Sequence, residues 1–153
     1  MMRKVFIYFC LFISLFILTG CSLHKKAISF DEFQSITMSS NYHFLDVTEQ
    51  FSYDKRIKKA GLAATSVWQV EFYIFDSKDS ADAMFQSNVK SFKEVKGSTS
   101  FEEKINMFNY KTYALTTNAQ YMYVCRVDNT VAYSRVPVEY RDKVIKYIGK
   151  IGY

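Results

Sequence analysis

The sequence predicts an α+β fold: a single domain in which an antiparallel sheet of about five strands packs against helices on one face. Three observations lead there. Segments of helical and strand periodicity succeed one another as helix, strand, strand, helix, strand, strand, strand, helix. The links between the later strands have hairpin length, which joins antiparallel neighbours. The strand segments are rich in aromatic and β-branched residues, in a chain holding 14 Phe, 12 Tyr and a single Pro.

The first helix is announced by Ser29 with Glu32 three residues on, a capping box, and by Phe30, Phe33 and Ile36 at helical spacing to about Ser39. Residues Tyr42 to Thr48 alternate, with Leu45 and Val47 on one side and Asp46 and Thr48 on the other, as in a half-buried strand. Tyr53 to Ala60 carries Lys55, Arg56, Lys58 and Lys59 and reads as a basic turn of helix or a loop ending at Gly61. Val67 to Phe75 is a clear strand, with Trp68, Val70, Phe72 and Ile74 facing one way and Gln69, Glu71 and Tyr73 the other.

Asp76 and Ser77 stop that strand and offer caps to a helix from about Lys78 to Val95. Ala81, Met84, Phe85, Asn88, Phe92 and Val95 fall near one stripe, and Gly97 to Ser100 is a connector. Met107 to Thr116 and Tyr121 to Val127 read as strands joined by the polar turn Thr117 to Gln120. Asp128 and Asn129 tolerate positive φ and suit a two-residue hairpin into a last strand, Thr130 to Val136. Pro137 pre-sets φ for the first turn of a final helix in which Tyr140, Val144, Tyr147, Ile148 and Ile151 share a face and which Gly152 stops.

The amino terminus has a different composition. Arg3 and Lys4 precede an apolar run from Val5 to Leu18, interrupted only by Ser14. As a helix this run would reach about 21 Å, short of the ~30 Å hydrocarbon core, which disfavours a permanent transmembrane anchor and fits a secretion signal. The run ends in Leu18, Thr19, Gly20 and Cys21. That ending resembles the lipobox of bacterial lipoproteins, in which two small residues precede a cysteine that receives a diacylglycerol through a thioether. The resemblance implies a signal peptide over residues 1–20, lipidation of Cys21 with a short tether to residue 28, and one extracytoplasmic domain over residues 29–153. The Arg126 to Thr130 hairpin and the terminal Gly152-Tyr153 also look like those of small Gram-positive surface lipoproteins, a likeness that implies no activity.

Removing residues 1–20 from the 153 leaves 133, a length suited to one domain with its own core. The loss of Arg3 and Lys4 takes the net charge from +5 to +3, a mild excess that does not argue for a nucleic-acid partner, which the export signal already disfavours. Of the three cysteines, Cys10 leaves with the signal and Cys21 is acylated, so Cys125 has no disulfide partner. The core must stabilise the domain. His24, Lys25 and Lys26 in the tether read either as residues at headgroup level, where each lysine would gain about 1 kcal/mol on an anionic surface, or as a solvated linker with incidental charge.

The candidates for chemistry are weak. His43, near Asp46, lacks a nucleophile-elbow motif to complete a triad. No zinc motif is present, and Asp76, Asp79 and Asp82 lack the glycine and closing glutamate of a calcium loop, so they read as helix-start acids. Cys125 reads as a buried, inert thiol. Glu71, Glu102 and Glu103 are the nearest carboxylates to a glycosidase-like pair. No residue is therefore assigned to catalysis, and no metal or cofactor is expected.

The unusual feature is tyrosine in strands: Tyr110, Tyr113, Tyr121, Tyr123 and Tyr133. Alternation puts Tyr110 and Tyr113 on opposite sides, so with helices on one face some of these rings meet solvent and could bind an envelope protein, peptide or glycan. Cross-strand packing is their ordinary role. The expectation is a lipid-anchored, non-catalytic binding or interaction module at the extracytoplasmic face of the cell membrane. The alternatives are an envelope hydrolase with a carboxylate-based site and an accessory subunit of a membrane transporter or complex.

Overall fold

The computed structural model describes residues 24–95 and 100–153. Three α-helices, α1 (Phe30–Ser39), α2 (Lys78–Lys93) and α3 (Arg141–Lys150), combine with seven strands: β1 (His43–Asp46), β2 (Ile57–Ala64), β3 (Gln69–Phe75), β4 (Ser100–Asn106), β5 (Tyr110–Thr117), β6 (Gln120–Val127) and β7 (Thr130–Pro137). The strands form one antiparallel sheet in the order β1-β2-β3-β7-β6-β5-β4, so the fold is a single α+β domain. At ~4.8 Å per strand, β4 lies about 19 Å from β3, and the 16 residues of α2 span that gap across the sheet. The chain then meanders back through hairpins until β7 pairs with β3, with Glu71 opposite Tyr133 and Phe72 opposite Ala132.

Seven strands stand where about five were expected, because β2 and β4 carry weak signals. Strand β2 pairs small residues, Ala60, Gly61, Ala63 and Ala64, with Lys58 and Lys59 at its exposed start, and it bulges between Ile57 and Lys59. The small residues make room for aromatic rings: a Cβ at Gly61 would lie 3.0 Å from Phe30, 3.1 Å from Phe33 and 3.1 Å from Phe44. Strand β4 is exposed along its whole length at the sheet edge, where charged Glu102, Glu103 and Lys104 replace hydrophobic alternation.

The helices cover both faces, not one. Against one face, α1 and α3 bury Phe33, Val144, Tyr147, Ile148 and Ile151 over Val70, Phe72, Cys125, Val127 and Ala132. Against the other, α2 buries Ala81, Phe85 and Phe92 over Tyr73, Phe75, Tyr113, Leu115, Met122, Val124 and Val131. Strand β6 is accordingly buried from Tyr121 through Val127, the pattern of a strand covered on both sides.

Capping decides the helix ends. Ser29 and Glu32 close the capping box on α1, Ser77 Oγ accepts from the Ser80 N–H at the start of α2, and Gly152, at φ +79°, follows the last turn of α3. Asp128 takes φ +48° in the two-residue turn between Val127 and Thr130. Two local readings change. In β1 it is Phe44 that packs into the core while Leu45 is exposed, and Pro137 closes β7 ahead of a 3₁₀ turn, Val138–Tyr140, that leads into α3.

The α1–α3 side is held by aromatic packing. Phe33 stacks on Phe72 with ring centroids 4.7 Å apart, and Tyr42 meets Trp68 and Tyr147 edge-on at 4.8 Å and 5.4 Å. Beneath them the Tyr147 hydroxyl donates to Thr37 Oγ1 at 2.6 Å, and that hydroxyl in turn donates to the Phe33 carbonyl at 2.7 Å. No described helix is long and apolar enough to cross a membrane. Cys21 and the proposed signal fall outside the described residues, as do Gly97 and its neighbours at 96–99.

Candidate functional site

The five tyrosines do not form one surface. Tyr110, Tyr121 and Tyr123 belong to the α1–α3 side, Tyr113 and Tyr133 to the α2 side. Tyr113, Tyr121 and Tyr123 are buried, and Tyr110 and Tyr133 are half-buried. Tyr121 stacks with Tyr123 at 6.3 Å, while Phe92 packs against Tyr113 at 6.3 Å and Tyr133 at 5.8 Å. Helices on both faces give each alternate ring its cover, which removes the solvent-facing aromatic sheet that one-sided cover would leave. Burial foremost, assisted by Glu102 at Tyr113 and Glu103 at Tyr121, pushes both phenols up to about 12, so they stay neutral.

The other candidates are also dispersed. His43 is exposed on edge strand β1, and the Asp46 carboxylate accepts the Thr48 backbone N–H at 2.9 Å. Cys125 is fully buried, and burial pushes its thiol up to about 11, as an inert cysteine requires. Glu71 accepts from the Tyr73 hydroxyl on β3, whereas Glu103 pairs with Arg141 at 3.4 Å and neighbouring Glu102 points to the opposite face of β4. Four strand spacings, about 19 Å, separate β3 from β4. That exceeds the ~5–9.5 Å between the two carboxylates of a glycosidase.

Among the three helix-start acids, Asp82 has a different task. Its Oδ1 lies 2.6 Å from Lys111 Nζ and 3.1 Å from Arg126 Nε. The Arg126 side chain is 2% exposed, and its Nη1 donates to the carbonyls of Asn109 at 3.3 Å and Asp128 at 3.1 Å. One guanidinium thus ties α2 to the β4–β5 and β6–β7 turns. Burial pushes the Asp82 carboxyl up, but Lys111, Arg126 and Gln86 outweigh it and hold the group below the usual carboxylate range.

Those two turns form a seat for the start of the described chain. Asn109 Oδ1 accepts the Lys25 backbone N–H at 3.1 Å, and Asn109 Nδ2 donates to the Lys25 carbonyl at 2.6 Å. The side-chain amide therefore grips both backbone groups of one residue, as a neighbouring strand would. Asn109 is itself fixed by Asp128, whose Oδ2 lies 3.1 Å from Nδ2 and whose N–H donates to the Asn109 carbonyl at 2.9 Å. Lys25 Nζ reaches the Gly152 carbonyl at 3.2 Å over the Tyr110 ring, and the Ile28 N–H donates to the Tyr153 hydroxyl at 3.4 Å. Ala27 and Ile28 pack on the core. The segment expected as a tether is thus part of the folded unit from Lys25 onward.

Sequence reasoning missed Asn109 because it placed this residue inside a strand. The Phe108-Asn109 pair was the available signal, since asparagine favours turns. Beside the seat, Phe108 is 87% exposed at the tip of the β4–β5 turn, with Lys78 Nζ 5.9 Å from its ring centre.

A cleft of about 150 Å³ lies between α2 and the β4–β5 hairpin, lined by Gln86, Lys93, Lys104, Lys111 and Tyr113. The Tyr113 hydroxyl is buried there, beside Glu102. Among the described residues no group of three or more His, Cys, Asp or Glu is placed to hold a metal ion.

No family model matches the chain, and no curated protein matches it. Among solved structures, a GTP binding regulator from Thermotoga maritima is similar, with 13% identity, a TM-score of 0.50, and coverage of 85% of this chain and 92% of that one. At that identity the likeness is one of fold alone.

Proposed function

We propose that the chain is a membrane-anchored extracytoplasmic lipoprotein whose domain is a non-catalytic interaction module. The observation that carries the anchoring is the ordered amino terminus: two basic residues, an apolar run from Val5 to Leu18, then Thr19, Gly20 and Cys21. The dispersal of His43, Cys125 and the three glutamates favours an interaction module over the hydrolase reading. The partner, an envelope protein or peptide, meets the domain along β4. That edge strand presents exposed Phe101 and Ile105 on one side, and among the described residues no strand pairs with its outer edge, the arrangement to which an extended peptide adds a strand.

Cys21→Ala tests the anchor. The variant is expected in the medium or as unprocessed precursor, and membrane retention equal to wild type would overturn the reading. A photocrosslinking residue in place of Phe101 tests the partner. It should capture an envelope protein in intact cells that the same probe at exposed Leu45, on the opposite edge, does not.

A further inference from the structure

The seat for Lys25 fixes more than the chain's path. Antiparallel pairing puts the start of β2, the end of β3, both ends of the β6–β7 turn and the β4–β5 turn at one end of the sheet. Lys25 is clamped at that end by Asn109. If Cys21 carries the lipid, three residues of chain, at most about 10 Å, separate the anchor from His24. The opposite end, with the β2–β3 turn and Trp68, lies about 23 Å away along the seven residues of β3. A lipidated domain with its amino-terminal segment seated in this way cannot present that far end to the bilayer.

The near end has the side chains that a lipid surface takes up. Phe108, 87% exposed, projects from the turn whose next residue grips Lys25, and Tyr53, 80% exposed, lies on the loop before β2. Lys55, Lys58 and Lys78 are exposed on loops and element ends there, with the exposed acids Asp76 and Asp79 beside Lys78, while Lys26 pairs with Glu32 at 3.2 Å. Aromatic rings settle at the boundary of headgroups and acyl chains, and lysines favour anionic headgroups. Asp54, the acid nearest Tyr53 in sequence, is neutralised by Arg56 at 2.7 Å.

We propose that this end of the sheet docks on the phospholipid surface, with Phe108 inserted at the headgroup–acyl boundary, so that the lipoprotein stands on the membrane in one orientation with β4 and the α2 cleft facing sideways. The proposal rests on the anchoring reading above. It adds a second, non-covalent contact, which makes the domain a fixed platform in place of a swinging one.

The test uses the full lipidated protein reconstituted into phosphatidylglycerol vesicles that contain dibrominated phosphatidylcholine, a quencher of tryptophan confined to the acyl region. Trp68, the single native tryptophan, is buried at the far end and serves as the internal control. In Phe108→Trp, the emission added by the new residue should shift to the blue and fall by at least half on brominated vesicles, while wild-type emission stays unchanged. Adding Asn109→Ala should reduce that quenching without releasing the protein. Unquenched emission from the introduced tryptophan, in protein that co-floats with the vesicles, overturns the docking and leaves the anchor standing. Failure of wild type to co-float overturns the anchor, and the docking falls with it.

Discussion

Replacing Asp82 by asparagine is the sharpest test of how the two turns are held. The change keeps shape and removes one charge that serves two cations, at 2.6 Å from Lys111 and 3.1 Å from Arg126. Arg126, 2% exposed, is then left in the interior with two backbone carbonyls and no counter-ion. Losing one partner of a buried pair costs about 3–5 kcal/mol. Asp82 itself is 32% exposed, and water on its side places the expectation at the lower end, about 3 kcal/mol. With about 2.1 cal/mol/K per residue over a folded unit of roughly 130 residues, the unfolding entropy near 60 °C is about 270 cal/mol/K, so Tm should fall by about 11 °C.

The pH dependence supplies a second reading of the same pair. The folded-state pKa of Asp82 is depressed, so its contribution is fully present above the unfolded value near 3.8 and is lost as pH falls through the folded value. The gap in Tm between wild type and Asp82→Asn should therefore be constant from pH 7 to about pH 5 and narrow below about pH 4. Thermal unfolding followed by circular dichroism at several pH values measures both. A variant melting within 2 °C of wild type at pH 7, or a gap as wide at pH 3 as at pH 7, would refute the electrostatic account.

Three further outcomes follow from the packing. Gly61→Ala drives a methyl group against the Phe30, Phe33 and Phe44 rings, and overpacking of this kind should cost about 1–3 kcal/mol, read as a lower urea midpoint with unchanged slope. Thr37→Val leaves the Tyr147 hydroxyl without its acceptor, at a cost of about 1–3 kcal/mol; a stability equal to wild type would show that water replaces the bond. Cys125 should resist a thiol reagent at pH 8 in the native state and react fully in denaturant, and stoichiometric labelling of the folded protein within minutes would contradict its burial.

The helices were legible because their signals are local. Ser29 with Glu32, Ser77 and Gly152 act through bonds within a few residues, and each lies at the end of its helix. Strands β3, β6 and β7 were legible through their apolar residues, and in β6 the unbroken apolar run Tyr121 to Cys125 matches its burial on both faces, which one-sided cover does not produce. Strand β2 was hidden because its small residues answer to rings on α1 and β1, a requirement visible only once those elements meet. Strand β4 was hidden because an edge strand needs no apolar alternation.

The site was less legible than the fold. The grip of Asn109 on Lys25 spans 84 residues of sequence and depends on Arg126 and Asp128 to place the turn, so no spacing rule could announce it. The tyrosines misled for a related reason. Their exposure depends on which face α2 covers, and parity within a strand is silent on that.

Membrane anchoring through Cys21 is the central claim, and mass spectrometry of the mature amino terminus from the membrane fraction tests it most directly. The account predicts that the first residue is Cys21 and that it carries a thioether-linked diacylglycerol. An unmodified Cys21, or a mature chain that begins at any other residue, would contradict it.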